Sequence, residues 1–361
     1  MVKSRKVNII FSGGGTGGSV APLLALAQNL SKQRPEWNLV WIGTNHGLEK
    51  VMVKDTKLSY VGIYSGKWRR YFSLKNIIDW SRILIGFFQS FIYLAKVNPR
   101  LIMSAGGFVS VPLVWAGWLL RIPVIIHQQD VRPGLANRLM APAAKKVTTT
   151  FKKSVDDYGK KAVFTGNPVR EEFDNVPSRE QALKEFDLSS SLPVVTITGG
   201  GSGAKAINSL VKEAWPILQG KCQIIHIMGA NSSLNILGSR EYKVFKFVSA
   251  QQIVAAFSAS DLVIARGGLA FVTELSYLRK PTIFIPMPRT HQEDNTQIIQ
   301  DNKAGLVLEE DKITAQDLAD EILRLLEDKS RSEKMAENLY NLIPQNSKEK
   351  LTEIIISYVE K

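Results

Sequence analysis

The sequence predicts an α/β protein made of two doubly wound parallel-sheet domains facing one another across a cleft. Three observations carry that prediction. Short apolar runs alternate with stretches of helical periodicity along the chain. Two glycine-rich turns, Gly13-Gly14-Gly15-Thr16-Gly17-Gly18 and Gly199-Gly200-Gly201-Ser202-Gly203, each follow an apolar run and open a helical stretch. The strand pattern also restarts at the second of them, near residue 194. Residues 1–166 are read as the first domain, 167–340 as the second and 341–361 as a C-terminal helix. The join falls at Gly166-Asn167-Pro168-Val169-Arg170, and a polar stretch, Glu171 to Ser191, leads into the second domain.

The first element is Val7 to Phe11, a β-branched and aromatic run of the kind buried on both faces of a parallel sheet. Val20 to Leu30 repeats apolar residues at helical spacing, with Pro22 tolerable in a first turn. The glycines between them let backbone N–H groups approach an anion, and the helix start adds favourable potential. This turn therefore reads as a phosphate or pyrophosphate cradle. Further strands are read at Asn38 to Ile42, Leu101 to Ser104, Val124 to His127 and Val147 to Thr150. In the second domain they fall at Val194 to Thr198, Gln223 to Met228, Leu262 to Ala265 and Thr282 to Pro286.

Ser73 to Lys96 reads as an amphipathic helix. Ile77, Trp80, Leu84, Phe87, Phe88 and Phe91 share one face, and Asp79, Arg82, Gln89 and Ser90 the other. A basic, aromatic cluster, Lys67-Trp68-Arg69-Arg70-Tyr71-Phe72, precedes it, and Trp115 and Trp118 follow. The net charge of +13 is uneven: residues 1–160 carry 23 Lys and Arg against 7 Asp and Glu, the remainder 23 against 26. That asymmetry calls for an anionic partner on the first domain. The aromatic residues favour an anionic membrane surface over nucleic acid, so peripheral membrane contact is expected and nucleic-acid binding is not.

In the second half, Arg266-Gly267-Gly268-Leu269-Ala270 reads as a strand-to-helix turn, followed by Thr273 and Glu274 on the helix. Glu274 is suited to a ribose diol, and the helix start to a phosphate. Gln292 and Asn295, in the polar block after Pro286, lie where ligands bind past the ends of parallel strands. Other chemistries fit poorly. No Gly-x-x-x-x-Gly-Lys-Ser/Thr or Gly-x-Ser-x-Gly motif occurs, and no acidic residue closes the second strand, which ends Trp41-Ile42-Gly43-Thr44. No metal-ligand spacing is visible, and the single cysteine, Cys222, excludes an intrachain disulfide and reads as core filler. No leader and no transmembrane stretch is expected.

Six motifs in order resemble glycosyltransferase family 28, the peptidoglycan N-acetylglucosaminyl transferases. They are Gly14-Gly15-Thr16-Gly17-Gly18, Gly106-Gly107-Phe108-Val109-Ser110, His127-Gln128-Gln129-Asp130, Gly166 to Arg170, Gly199 to Ala204 and His291-Gln292-Glu293-Asp294-Asn295. The resemblance implies the GT-B fold, with the last helix, about Leu351 to Val359, returning to the first domain. It implies inverting, cofactor-free and metal-free transfer of GlcNAc from UDP-GlcNAc to the muramyl C4 hydroxyl of lipid I, a polyprenyl-diphosphate glycolipid, giving lipid II at the cytoplasmic face of the membrane. By the same resemblance, Thr16, Gly17 and Gly18 lie beside the donor sugar and acceptor diphosphate, and Arg170 contacts the donor diphosphate. Gly201 and Ser202 lie near the donor phosphates, Val248 offers backbone to uracil, and Leu269 and Ala270 meet phosphate. Glu274 takes the ribose, and Gln292 with Asn295 the GlcNAc hydroxyls.

The chain departs from the family pattern on this surface. Ser19 stands where the family usually has His, His-Gln-Gln-Asp where it has His-Glu-Gln-Asn, and Gly201-Ser202 where it has Ser-Gln. A serine hydroxyl is no base near neutral pH. Asp130, His127 and Ser19 thus stand as candidates at the proton-transfer position. The readings left open are a family 28 transferase with a different acceptor and a UDP-sugar-binding homologue with weak or no turnover.

Overall fold

The computed structural model describes residues 6–15, 17–54, 56, 58–66, 75–234 and 236–360, with the backbone alone for 75–78. Thr16, Ile77 and the Lys67 to Phe72 cluster therefore lie outside the described residues or side chains. The chain forms two compact units, Met1–Arg170 with Pro344–Lys361, and Glu171–Ile343.

The first unit carries β1 (Asn8–Ser12), α1 (Gly17–Gln33), β2 (Asn38–Thr44), α2 (Leu48–Lys54), β3 (Ser59–Ile63), α3 (Lys75–Val97), β4 (Leu101–Ser104), α4 (Ser110–Leu119), β5 (Val124–Gln128), α5 (Leu135–Met140), β6 (Lys146–Thr149) and β7 (Ala162–Phe164). All seven strands pair in parallel in the order β3-β2-β1-β4-β5-β6-β7. The chain winds outward from β1 to β3, then crosses back to lay β4 on the free edge of β1. That reversal creates a switch point, the place where open α/β sheets gather ligand-binding loops. Successive residues of β1 feed opposite cores. Ile9 and Phe11 pack with Leu23, Leu26 and Trp41, while Ile10 packs with Ile42, Leu113 and Ile126. Helix α1 begins at Gly17, earlier than its periodicity suggests, so Pro22 sits beyond the first turn. The carbonyl its ring would crowd, four residues back, belongs to Gly18.

The second unit carries α6 (Arg179–Glu185), β8 (Val194–Thr198), α7 (Lys205–Leu218), β9 (Gln223–Ile227), β10 (Tyr242–Phe245), α8 (Ala250–Ala259), β11 (Leu262–Ala265), α9 (Leu269–Tyr277), β12 (Thr282–Phe284), α10 (His291–Asp301), β13 (Leu306–Val307), α11 (Ala315–Glu327) and α12 (Lys329–Leu342). Its six parallel strands repeat the winding, β10-β9-β8-β11-β12-β13, with the switch point between β8 and β11. The polar stretch before β8 is not a bare linker. It holds α6, closed by a reciprocal Ser178–Gln181 cap, and Arg179 of that helix pairs with Asp261 at 2.8 Å. Finally α13 (Ser347–Val359) packs on α1 in the first unit. Leu351, Ile355 and Val359 enter the core around Leu23, and Asn29 donates to Thr352 at 3.0 Å.

Helix α3 overturns the simple reading of its amphipathicity. Asp79 and Ser90, placed by periodicity on the polar face, are buried. Ser90 bonds its own helix at Gly86 O, and the Gln89 amide oxygen accepts from Tyr64 N–H at 2.9 Å. The apolar stripe faces outward: Leu84 is 52 %, Phe88 61 % and Ile92 67 % exposed, with Trp80 and Ile85 beside them. Trp118 and Leu119 at the end of α4 are exposed too. Phe87 and Phe91 stack on each other and are only partly covered.

Candidate functional site

In the first unit three loops meet where β1, β4 and β5 end. The turn after β1 is fixed from inside: Trp41 Nε1 donates to Gly13 O at 3.3 Å and Ser19 Oγ to Gly14 O at 3.1 Å. The turn after β4 crosses it backbone to backbone. A Cβ on Gly107, whose φ is +87°, would sit 2.5 Å from Gly14 O, so position 107 needs glycine. Gln129 of the third loop reaches Ser19 O at 3.5 Å. Ser19, Gly17, Gly18 and the loop carrying Asp130 are thus brought together in this unit.

His127, a candidate at the proton-transfer position, sits inside the fold. It is fully buried, with Nδ1 on Thr148 Oγ1 at 2.9 Å and Nε2 on Asn167 Oδ1 at 3.0 Å. Burial lowers its pKa to about 4 against the pull of the Asn167 hydrogen bond. Both ring nitrogens are hydrogen-bonded inside the fold. The ring ties β5 and β6 to Asn167. Gln128 is equally internal. Its Nε2 donates to Asp130 O at 2.7 Å and Arg132 O at 3.1 Å, and its Oε1 accepts from Asn137 Nδ2 at 2.6 Å and Tyr158 Oη at 2.9 Å. All its hydrogen-bonding positions are filled, and they hold the Asp130 loop in place. The Ser19 hydroxyl already donates to Gly14 O. Of the three candidates for proton transfer, Asp130 is the carboxylate on the surface loop, and its side chain is partly exposed.

The second unit builds a parallel arrangement from the turns after β8, β11 and β12. The first turn is pinned where Gly203 meets Gly229 so closely that neither admits a Cβ, and Ala230 N–H donates to Gly201 O at 2.9 Å. Gly201 and Ser202 project from it, exposed. Beneath it His226, its pKa pushed down to about 4 by burial, joins Asn208 at 3.0 Å and Tyr242 at 2.8 Å. The turn after β11 lies against the first turn of α10: a Cβ on Gly267 would be 2.5 Å from Thr296 Cγ2 and 3.0 Å from Gln292 O. Asn295, buried, donates to Gly267 O at 3.3 Å, and Met287 N–H donates to Gln292 Oε1 at 3.0 Å. Leu269, Ala270, Glu274, Gln292 and Asn295 are therefore gathered around one corner. Glu274 is buried on α9. Val248, also buried, precedes Ser249, the cap of α8, on a different loop. Arg170 closes the first unit and is partly exposed.

The two helices at the second switch point differ from their neighbours in how they start. In the second unit α6, α8, α10, α11 and α12 are capped by Ser178, Ser249, Thr290, Thr314 and Asp328. Helices α7 and α9, which follow β8 and β11 at the switch point, start at Ala204 and Gly268 with no side-chain cap. Their first N–H groups therefore lack the side-chain acceptor that a cap supplies. Sequence reading singled out the glycines there but missed this contrast, which requires knowing where each helix begins.

Among the described residues no group of three or more His, Cys, Asp or Glu is placed to hold a metal ion, and no helix is long and apolar enough to cross a membrane. Cys222 is buried and its thiol pKa is pushed up to about 12, which suits an inert core residue.

Comparison with known proteins agrees with this architecture. The model for the glycosyltransferase family 28 N-terminal domain matches residues 9–149, and that for the C-terminal domain residues 194–354. The chain is 38 % identical over 316 residues to a Bacillus cereus protein, covering 86 % of this chain and 89 % of the relative. It is 36 % identical to a Clostridium botulinum protein over 99 % of both chains. Both relatives carry the name UDP-N-acetylglucosamine–N-acetylmuramyl-(pentapeptide) pyrophosphoryl-undecaprenol N-acetylglucosamine transferase. Among solved structures, Acinetobacter baumannii MurG superposes with a TM-score of 0.75 at 22 % identity, over 97 % of this chain and 99 % of that one. The calicheamicin glycosyltransferase CalG4 superposes at 0.74 with 11 % identity, over 99 % of both chains. These likenesses place the fold among GT-B glycosyltransferases.

Proposed function

The chain belongs to glycosyltransferase family 28, and on that premise we propose that it moves GlcNAc from UDP-GlcNAc to the muramyl C4 hydroxyl of lipid I, forming lipid II. The observation that carries the donor half is the pair of uncapped helices at the second switch point. Their N–H groups and dipoles suit a diphosphate, and most of all the extra charge it gains as a leaving group. Leu269 and Ala270 would meet the phosphates at the start of α9, with Gly201 and Ser202 on the neighbouring turn. Glu274 would take the ribose, Val248 the uracil, Gln292 and Asn295 the sugar hydroxyls, and Arg170 the diphosphate.

The acceptor half rests on the three loops of the first unit, with Thr16, Gly17 and Gly18 beside the acceptor diphosphate. The acceptor oxygen attacks the anomeric carbon as the bond to UDP breaks, inverting that centre. Asp130 takes the hydroxyl proton, being the carboxylate on the loop that Gln128 pins. The outward apolar face of α3, with Trp118, supports peripheral contact with the cytoplasmic membrane surface, where a polyprenyl substrate resides.

Incubation with UDP-GlcNAc and lipid I in vesicles tests the reading, and UDP should be released in step with lipid II. Turnover with another glycolipid alone would replace the acceptor. UDP binding with no transfer to any acceptor would overturn the enzymatic reading.

A further inference from the structure

A cavity of about 900 Å³ opens in the first unit beside the first glycine turn, between the ends of β2 and β3 and helix α3. That size is in the upper part of the range of small-molecule sites, about 300–1,000 Å³. Gly15 borders it on one side, Arg82 and Gln89 of α3 on the other, and Asn45, Glu49 and Lys50 complete its polar lining.

Glu49 is the unusual member. It is fully buried, and Oε1 accepts from Thr44 N–H at 2.9 Å and Thr44 Oγ1 at 2.6 Å. Oε2 is also buried and has no hydrogen-bond partner among the described residues. The carboxyl carbon lies 2.9 Å from where a Cβ on Gly14 would be, so this acid supports the glycine turn directly. It also supplies, from five residues further on, the acidic group missing at the end of β2. A carboxylate oxygen left unfilled in this way is costly, and it acts on the cavity from beneath the surface rather than by direct contact.

The lining has two signs. Glu49 repels a purely anionic ligand, while Lys50 and Arg82 gain most from a ligand that carries a carboxylate. Asn45 and Gln89 add amide groups. A peptide offers N–H donors, carbonyl acceptors and a carboxylate together, which matches this lining.

We propose that this cavity receives the pentapeptide arm of the glycolipid acceptor, an inference that rests on the acceptor assigned above. A pentapeptide joined to the muramyl lactate through its amino end presents a carboxylate at its other end, for Lys50 and Arg82, and backbone amides along its length. The diphosphate at the glycine turn and the lipid at the outer face of α3 would leave the peptide beside both.

The experiment uses the full chain and two lipid-diphosphate acceptors, one bearing the pentapeptide and one bearing only the muramyl lactate. Lys50→Glu reverses one charge at the rim, and His46→Trp fills the mouth; His46 and Lys50 are exposed and stand outside the residues assigned to the reaction. Each variant should raise KM for the pentapeptide acceptor about three- to tenfold, Lys50→Glu by turning a screened attraction into a repulsion and His46→Trp by blocking the mouth. KM for the peptide-free acceptor and for UDP-GlcNAc should stay within about twofold, since neither substrate reaches the altered charge. Equal shifts for both acceptors, or no shift for either, would overturn the assignment. Soluble N-acetylmuramyl-pentapeptide titrated into the wild-type protein reads the cavity without turnover. Amide resonances of Lys50, Tyr64 and Gln89 should move, and in Lys50→Glu those of Tyr64 and Gln89 should need several-fold more ligand to move as far. Absence of any change in the wild type removes the peptide site. Absence of turnover with peptide binding intact counts against the transferase reading instead.

Discussion

Replacing Leu84, Phe88 and Ile92 together by serine should detach the protein from anionic vesicles. Fully burying one such side chain is worth about 1.5–3 kcal/mol. At 52 %, 61 % and 67 % exposure, each retains roughly half to two-thirds of that, and the three together about 3–5 kcal/mol. At about 1.4 kcal/mol per factor of ten, the partition coefficient should fall by about 10²–10⁴. Co-sedimentation over a range of lipid concentrations measures this, with UDP affinity by calorimetry as the internal control. These side chains face outward, so Tm should change by no more than about 2 °C. An unchanged partition coefficient would refute a membrane role for the stripe. A collapse of Tm would show that it packs against protein instead. Raising the salt should weaken binding of the wild type as well, because the first half of the chain carries the excess of Lys and Arg.

Asp130→Asn should lower kcat by about 10²–10⁴-fold, the usual worth of a general base, while UDP affinity stays put; turnover near wild type would remove Asp130 from proton transfer. Gln128→Glu trades two donated hydrogen bonds, to Asp130 O and Arg132 O, for a carboxylate facing two carbonyls. It should cost about 1–3 kcal/mol of stability near pH 7, a loss that protonation relieves as pH falls; urea midpoints at pH 7 and pH 5 read both parts. The buried His127 and His226 titrate near 4 when folded against 6.5 as model groups. Because the unfolded chain binds their protons first, stability holds above about pH 6.5 and falls toward pH 4 by about 3 kcal/mol per histidine. Denaturation midpoints that ignore pH in this window would contradict the burial of both rings.

The central strands were legible because a strand buried on both faces is written as an unbroken apolar run. Ile9 to Phe11 and Leu262 to Ala265 need no context to be recognised. The edge strands β3, β10 and β13 were not, nor was β7. Ser59 is exposed on β3, β7 and β13 are half-buried, and β10 mixes a buried Tyr242 with Lys243. Helix α3 shows the limit of periodicity. Its two faces were read correctly as apolar and polar, but nothing in the spacing says which face the sheet covers. Asp79 and Ser90 went inward because α3 packs against the end of β3 at Gly86 and Gln89, where polar side chains bond backbone. The glycine turns gave away both switch points. His127 was a candidate through the family resemblance, and Gln128 stood out only as a departure from the family pattern. Here Thr148, Asn167, Asn137 and Tyr158, each far along the chain, take up their bonds instead. Glu49 carried no motif at all. Only its burial against Gly14 and Thr44 singles it out.

The stereochemistry of the transferred sugar bears most directly on the whole account. With UDP-GlcNAc, whose anomeric bond is α, and a lipid I acceptor, the anomeric proton coupling of the purified product should report a β-linked GlcNAc on the muramyl C4 oxygen, the outcome of a single displacement over one diphosphate-holding corner. An α-linked product, or GlcNAc released as the free sugar with no lipid-linked disaccharide, would contradict it.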